Sequence, residues 1–241
     1  MKKIILLCAM LLVWSASAFA AQQKSDYTSP NFNAANIHNI VIMSQVPNES
    51  LPYVVDGNIV MTLPEALKKE LKLPVNIKAD TMMEVVVKVQ KLTGKNIMAM
   101  MQTQDVNQQQ EAINLVWDYI GKNYDTIINI GVLQAGYTQK YSNGFSYMTT
   151  ENQTSTISNV YGQIATINTP VQRENVVGRG MVDVAEITLN ITVQNSNEFV
   201  VTRREFRNKI SSGMAATTPE DIGKRIVGSF AHDFSKKFNK N

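Results

Sequence analysis

His38 and His232 are the chain's only side chains whose ordinary pKa lies near neutrality, and neither stands in a spacing that makes a catalyst. No Ser-His-Asp set and no metal-ligand spacing surrounds either one. His232 and Asp233 adjoin in a stretch that predicts a helix, where neighbouring side chains diverge by about 100°, so they form no ready dyad. The paired carboxylates Glu220-Asp221 follow Thr218-Pro219 and are accounted for by a helix start, where negative charge meets the positive end of the helix dipole. Gly178-Arg179-Gly180 lacks the Lys-Ser/Thr of a phosphate loop and leads into a predicted strand, so a strand-entry turn is expected there. We therefore expect no enzyme, with no catalytic, cofactor-binding or metal-ligating residue.

What remains are groups suited to contact. Arg203, Arg204 and Arg207 cluster on one predicted strand, where they either meet an acidic partner or anionic lipid heads or guard a sheet edge. Tyr141, Phe145, Tyr147 and Tyr161 lie in a segment, 137–179, dominated by Ser, Thr, Asn, Gln and Gly. So long a stretch with few aliphatic residues is expected as a polar extended insertion, or as a surface loop without a task. The lysines and Arg225 of the last helix complement its dipole and would also suit a membrane surface.

The elements that must position these groups follow from periodicity. Ile37 to Met43 is a short apolar run with the form of a buried first strand. Pro64 is expected to open a short helix carrying Ala66, Leu67 and Leu71 inward, and Asp80 to cap a second one that Gly94 stops. Asn96 to Met101 is too short for periodicity to decide, and a strand is one option. Asn107 to Lys122 predicts a helix with Ala112, Leu115, Val116, Tyr119 and Ile120 on one stripe, and Trp117 is expected within the buried stripe. Asp125 to Leu133 is apolar on nearly both faces, which predicts a central strand. Ala185, Ile187, Leu189, Ile191 and Val193 alternate with polar residues, and Asn195-Ser196-Asn197 turns the chain into Glu198 to Arg207, an antiparallel hairpin. Thr218 starts the last helix, whose stripe is Ile222, Ile226, Phe230 and Phe234. The fold class is α/β (α+β): a mixed sheet with a C-terminal antiparallel hairpin and helices packed mainly on one face.

Met1-Lys2-Lys3, the uncharged apolar run Ile4 to Trp14, and the small residues ending at Ala20 form the pattern of a secretory signal peptide cut after Ala20. The apolar run is too short to span a bilayer, and Cys8 lies inside it rather than at the cut, so neither a membrane nor a lipid anchor is supported. Its removal takes away the chain's one cysteine, which excludes disulfides and thiol chemistry in the mature protein. It also takes away two lysines and lowers the net charge from +3 to +1, which leaves no electrostatic case for nucleic acid. The expected order is a signal at 1–20, a flexible leader at 21–36, and a single α/β domain at 37–241.

The early strand Ile37 to Met43, the passage Trp117 to Val132 and the hairpin Ala185 to Phe206 resemble small exported α/β domains of bacterial envelope proteins, a group that includes the curli-secretion lipoprotein and the lipoprotein activators of penicillin-binding proteins. The chain departs from them in lacking a cysteine at the mature start and an Asp and Gly at the hairpin turn. The resemblance implies an adaptor or assembly role for an exported protein of the periplasm or outer envelope. Its partner would be an unidentified envelope protein or a second copy of itself. The alternative is a small-ligand or glycan binder using aromatics of the polar segment.

Overall fold

The computed structural model describes residues 22–46, 57–158, 164–196, 198–211 and 216–238, with 142–158 and 164–179 described by backbone alone. The expected signal peptide, its cut after Ala20, and Tyr161 lie outside the described residues. Six strands form one mixed sheet: β1 (Gln22–Thr28), β2 (Asn39–Gln45), β3 (Lys78–Thr81), β4 (Thr126–Ser158), β5 (Ile164–Asn195) and β6 (Glu198–Ile210), in the order β1-β6-β5-β4-β2-β3. β2 runs parallel to both β3 and β4, whereas β6 pairs antiparallel with β5 and with β1. The α-helices are α1 (Gly57–Glu70), α2 (Met82–Thr93), α3 (Ile97–Gln102), α4 (Val106–Asn123) and α5 (Pro219–Ser235).

The α/β class is the one the sequence implies, but the helices occupy both faces of the sheet. Parallel strands are buried on both sides and need cover on both. Ile40 and Ile42 of β2 join α1 and α5 in one core that holds Leu63, Leu67, Ile226, Phe230 and Phe234. Val41, between them in β2, joins a second core built from α2, α3 and α4 around Val86, Val89, Ile97, Val116 and Ile120. The clean alternation of β5 describes only the antiparallel half of the sheet. Gly223 lets α5 approach the sheet closely, since a Cβ there would lie 3.0 Å from Ile187 Cδ1 and 3.1 Å from Leu63 Cδ2.

Local chemistry sets the helix ends. Thr81, one residue past the expected Asp80, caps α2 through a capping box with Glu84, and Gly94 closes it with φ 69°. Thr218 and Asp221 form the same box at α5, with Pro219 at the first turn as expected. Asn96 to Met101 forms a helix rather than a strand, because the Asn96 side chain accepts from the Ala99 N–H at 3.1 Å. Pro64 lies inside α1 and does not open it. A proline there removes the N–H that would bond the Val60 carbonyl, and the Ser44 hydroxyl of β2 donates to that carbonyl instead.

Residues 21–36, expected as a leader, contain β1, which pairs with all of Val201 to Arg207. Its seven side chains are exposed, so no hydrophobic pattern announces it. Backbone pairing recruits it, with polar side-chain bonds of Gln22, Lys24 and Asp26 in place of apolar burial. β6 is consequently an interior strand, and the edges of the sheet are β1 and β3.

The chain divides into two compact units, residues 1–138 with 184–241 and residues 139–183. The described part of the second is strand in both arms, 139–158 and 164–183, and Gln139 Nε2 donates to Asp183 Oδ1 at 3.3 Å within it.

Candidate functional site

Strand β6 sorts the arginine cluster by alternation. Arg203, Glu205 and Arg207 stand opposite Ile191, Leu189 and Ile187 of β5, on the face toward α5, while Arg204 stands opposite Asn190 on the other face. Arg203 is only 5% exposed and its Nε lies 2.6 Å from Asp26 Oδ1. Its Nη2 donates to Asp26 Oδ2 at 3.2 Å and Asp233 Oδ2 at 2.7 Å. Lys24 joins the same two carboxylates, at 3.0 and 3.3 Å. The guanidinium also lies 5.4 Å from the centre of the Phe230 ring. Burial works to raise the Asp26 carboxyl, but hydrogen bonds from Arg203 and Lys24 outweigh it and hold the group below its ordinary value. Asp233 is lowered chiefly by its bond from Arg203, against a smaller burial effect. Glu205 is fully buried and accepts from Gln22 at 2.7 Å and Arg207 at 2.5 Å. Arg203 thus ties β1 and α5 to the sheet, and Arg207 is committed to the buried Glu205 of its own strand.

Arg204 differs from both. It is exposed, and no described carboxylate pairs with it. It shares with Gln23, Lys24, Ser25, Thr188 and Phe206 the lining of an open cavity of about 490 Å³. The apolar cluster on this side of the sheet draws its strand residues from β2 and β4, leaving the β1-β6-β5 portion polar.

A second concavity lies where the connections leaving β2 and β3 depart to opposite faces, the kind of crevice in which open α/β sheets bind ligands. Its volume is about 260 Å³, and Met61, Met82, Met83, Met98 and Met101 line it with Val60, Pro64 and Val86. Its oxygens are already engaged: Thr81 Oγ1 donates to Glu65 Oε1 at 2.9 Å, and Ser44 bonds Val60.

The remaining candidates are dispersed. His38 is exposed, with Nδ1 3.5 Å from Asp125 Oδ2, and His232 is exposed on α5. Asp221 serves the cap and Glu220 pairs with Lys224 at 2.6 Å. Gly178-Arg179-Gly180 lies within β5 and not in a turn leading to it. Tyr141 is 56% exposed, while Phe145 and Tyr147 lie in β4, in the stretch described by backbone alone. Trp117, expected in the buried stripe of α4, is 44% exposed. One cluster escaped the sequence because its members are far apart in the chain: Asp80 Oδ2 accepts from Lys88 at 2.8 Å and from the Tyr124 hydroxyl at 2.9 Å. Burial and that bond push the Tyr124 phenol up to about 12. Among the described residues no group of His, Cys, Asp and Glu is placed to hold a metal ion, and no helix is long and apolar enough to cross a membrane.

No family description and no curated protein matches the sequence. Among solved structures, a PelC variant dodecamer from Paraburkholderia phytofirmans has a TM-score of 0.41 at 7% identity, over 89% of this chain and 96% of that one. The PelC dodecamer of the same organism in another crystal form has 0.39 at 6%, over 90% and 97%. A PDZ domain protein from Parabacteroides distasonis has 0.27 at 10%, over 92% of this chain and 38% of that one. Likenesses at this level are too slight to carry an inference about the fold or the function.

Proposed function

We propose that the protein is an exported, non-enzymatic component of the cell envelope that works by assembly, with residues 139–183 as its contact element and a second copy of the chain as its first partner. The observation that carries this reading is the second unit itself, whose described residues are strand in two arms, 139–158 and 164–183. Strands of globular proteins usually run about 3–10 residues, and a two-stranded ribbon alone is marginally stable in water. A ribbon this long has two sides of backbone groups to satisfy, which pairing with another chain would supply. The amino-terminal signal pattern and the absence of a catalytic constellation from the sequence support the remainder.

The test compares the mature chain with a variant in which Thr138 is joined to Val184 through a short turn. Light scattering should find an oligomer for the full chain and a folded monomer for the variant. A monomeric full chain that also captures no envelope protein by crosslinking in whole cells would refute the proposal, as would a variant that assembles as well as the parent.

A further inference from the structure

The registers of β1, β6 and β5 place nine side chains in three rows on the polar face that carries Arg204. Gln23, Phe206 and Thr188 form one row, Ser25, Arg204 and Asn190 the next, and Tyr27, Thr202 and Thr192 the third. Paired residues of antiparallel strands point to the same side, so the nine share one surface. We infer that this face binds an acidic saccharide, with Arg204 holding the carboxylate of a uronic-acid residue and Phe206 offering the apolar side of its ring a platform. None of the nine belongs to residues 139–183, and this inference does not rest on the assembly proposal.

The composition of the grid selects the ligand. Three strands about 4.8 Å apart and three rows about 6.8 Å apart cover roughly 10 by 14 Å, room for about two or three sugar rings. Around one guanidinium stand the hydroxyls of Ser25, Thr192 and Thr202 and the carboxamides of Gln23 and Asn190, groups that exchange hydrogen bonds with a polyol in either direction, while Thr188, 8% exposed and donating to Gln134 Oε1 at 3.4 Å, forms the floor beside Phe206. Phe206 is half-buried and Tyr27 is 56% exposed, so one aromatic ring lies in the row on each side of Arg204. The guanidinium presents a planar fork that fits a carboxylate in two parallel bonds. The acidic group of the adjoining row, Glu186 opposite Asn208, accepts a hydrogen bond from Thr138 at 2.9 Å and lies two rows from Arg204. Lys24 also lines the cavity but is held by Asp26 and Asp233.

Other polyanions fit less well. A lipid surface or a nucleic acid is bound through several cations acting together, and this face has a single uncommitted one among its described residues. An extended peptide gains most of its affinity by pairing with an open strand edge, whereas Arg204 and Phe206 lie on an interior strand.

The experiment titrates the mature chain with an oligogalacturonate, with the same oligomer as its methyl ester, and with oligoglutamate, by calorimetry and amide chemical shifts. The acid should bind and perturb β6, and the ester should bind roughly tenfold more weakly. Arg204→Gln should weaken the acid by a similar factor and leave the ester unchanged, while Phe206→Ala weakens both. Arg225→Gln, an equal loss of charge at an exposed position of α5, should change nothing. Arg204 is exposed, so its variant is expected to fold, and thermal unfolding checks each protein. The inference is overturned if the wild type binds neither saccharide, or if Arg204→Gln binds the acid as well as the parent. It is also overturned if oligoglutamate binds as tightly as the sugar acid and Phe206→Ala has no effect, which assigns the face to acidic peptides.

Discussion

Replacing Ser44 with Ala probes the proline within α1. In the native chain Pro64 supplies no N–H, so the Val60 carbonyl, four residues earlier, depends on the Ser44 hydroxyl. Deleting that hydroxyl leaves an acceptor without its partner, a loss of about 1–3 kcal/mol in a fully buried site. Both residues are only partly buried, so water recovers some of this, and the expected cost is about 1–2 kcal/mol. For a chain of this size that lowers the melting temperature by roughly 2–8 °C. Pro64→Ala should raise stability, by about 1–3 kcal/mol, because an interior helical proline is so unfavourable. The same substitution restores a backbone N–H that can donate to the Val60 carbonyl, so Ser44→Ala in that background should cost less than about 0.5 kcal/mol. Urea unfolding followed by far-ultraviolet circular dichroism on the four proteins yields the coupling directly, with equal m-values confirming a common unfolded state. Equal costs of Ser44→Ala with and without Pro64 would refute the reasoning.

Arg203→Met should destabilise by about 1–3 kcal/mol, below the largest penalties for broken buried pairs because Asp26 and Asp233 can rehydrate, their side chains being 43% and 41% exposed. Both carboxyls are lowered in the folded state, so their contribution is present above the ordinary carboxylate pKa and is lost as pH falls through the folded values; melting temperature against pH should fall on the acid side, and less steeply in the variant. Tyr124 is raised to about 12, so its contribution holds below pH ~10 and disappears as pH rises through the folded value. An ultraviolet titration should show one late-ionising phenol that Tyr124→Phe removes, and its persistence in that variant would reassign it. Thr218→Ala should cost about 1 kcal/mol through loss of the α5 cap, measured by thermal denaturation; no change would show that the cap leaves α5 unaided.

The elements legible in the sequence are those whose signal is local. The caps at Thr218 and Gly94, the stripe Ile222 to Phe234, and the alternation of β5 all depend on neighbours a few residues away. β1 left no trace, because seven exposed residues join the sheet by backbone bonds to a strand some 180 positions later. Pro64 was misplaced for a related reason, since a helix start is the usual home of proline and only a distant serine makes an interior one tolerable. The arginines are the same case. Their sequence shows a cluster of positive charge; alternation then sends Arg203 and Arg207 inward to acidic partners and leaves Arg204 outside.

The class of the fold, the hairpin, the start of α5 at Thr218 and the end of α2 at Gly94 were legible in the sequence, because these follow from local capping residues and from periods of two and 3.6 residues. The tertiary structure decided which strand is an edge, which faces carry helices and which arginine faces solvent. Those outcomes depend on pairings between remote segments, and the free energy of such a pairing belongs to two surfaces that no single stretch of chain contains.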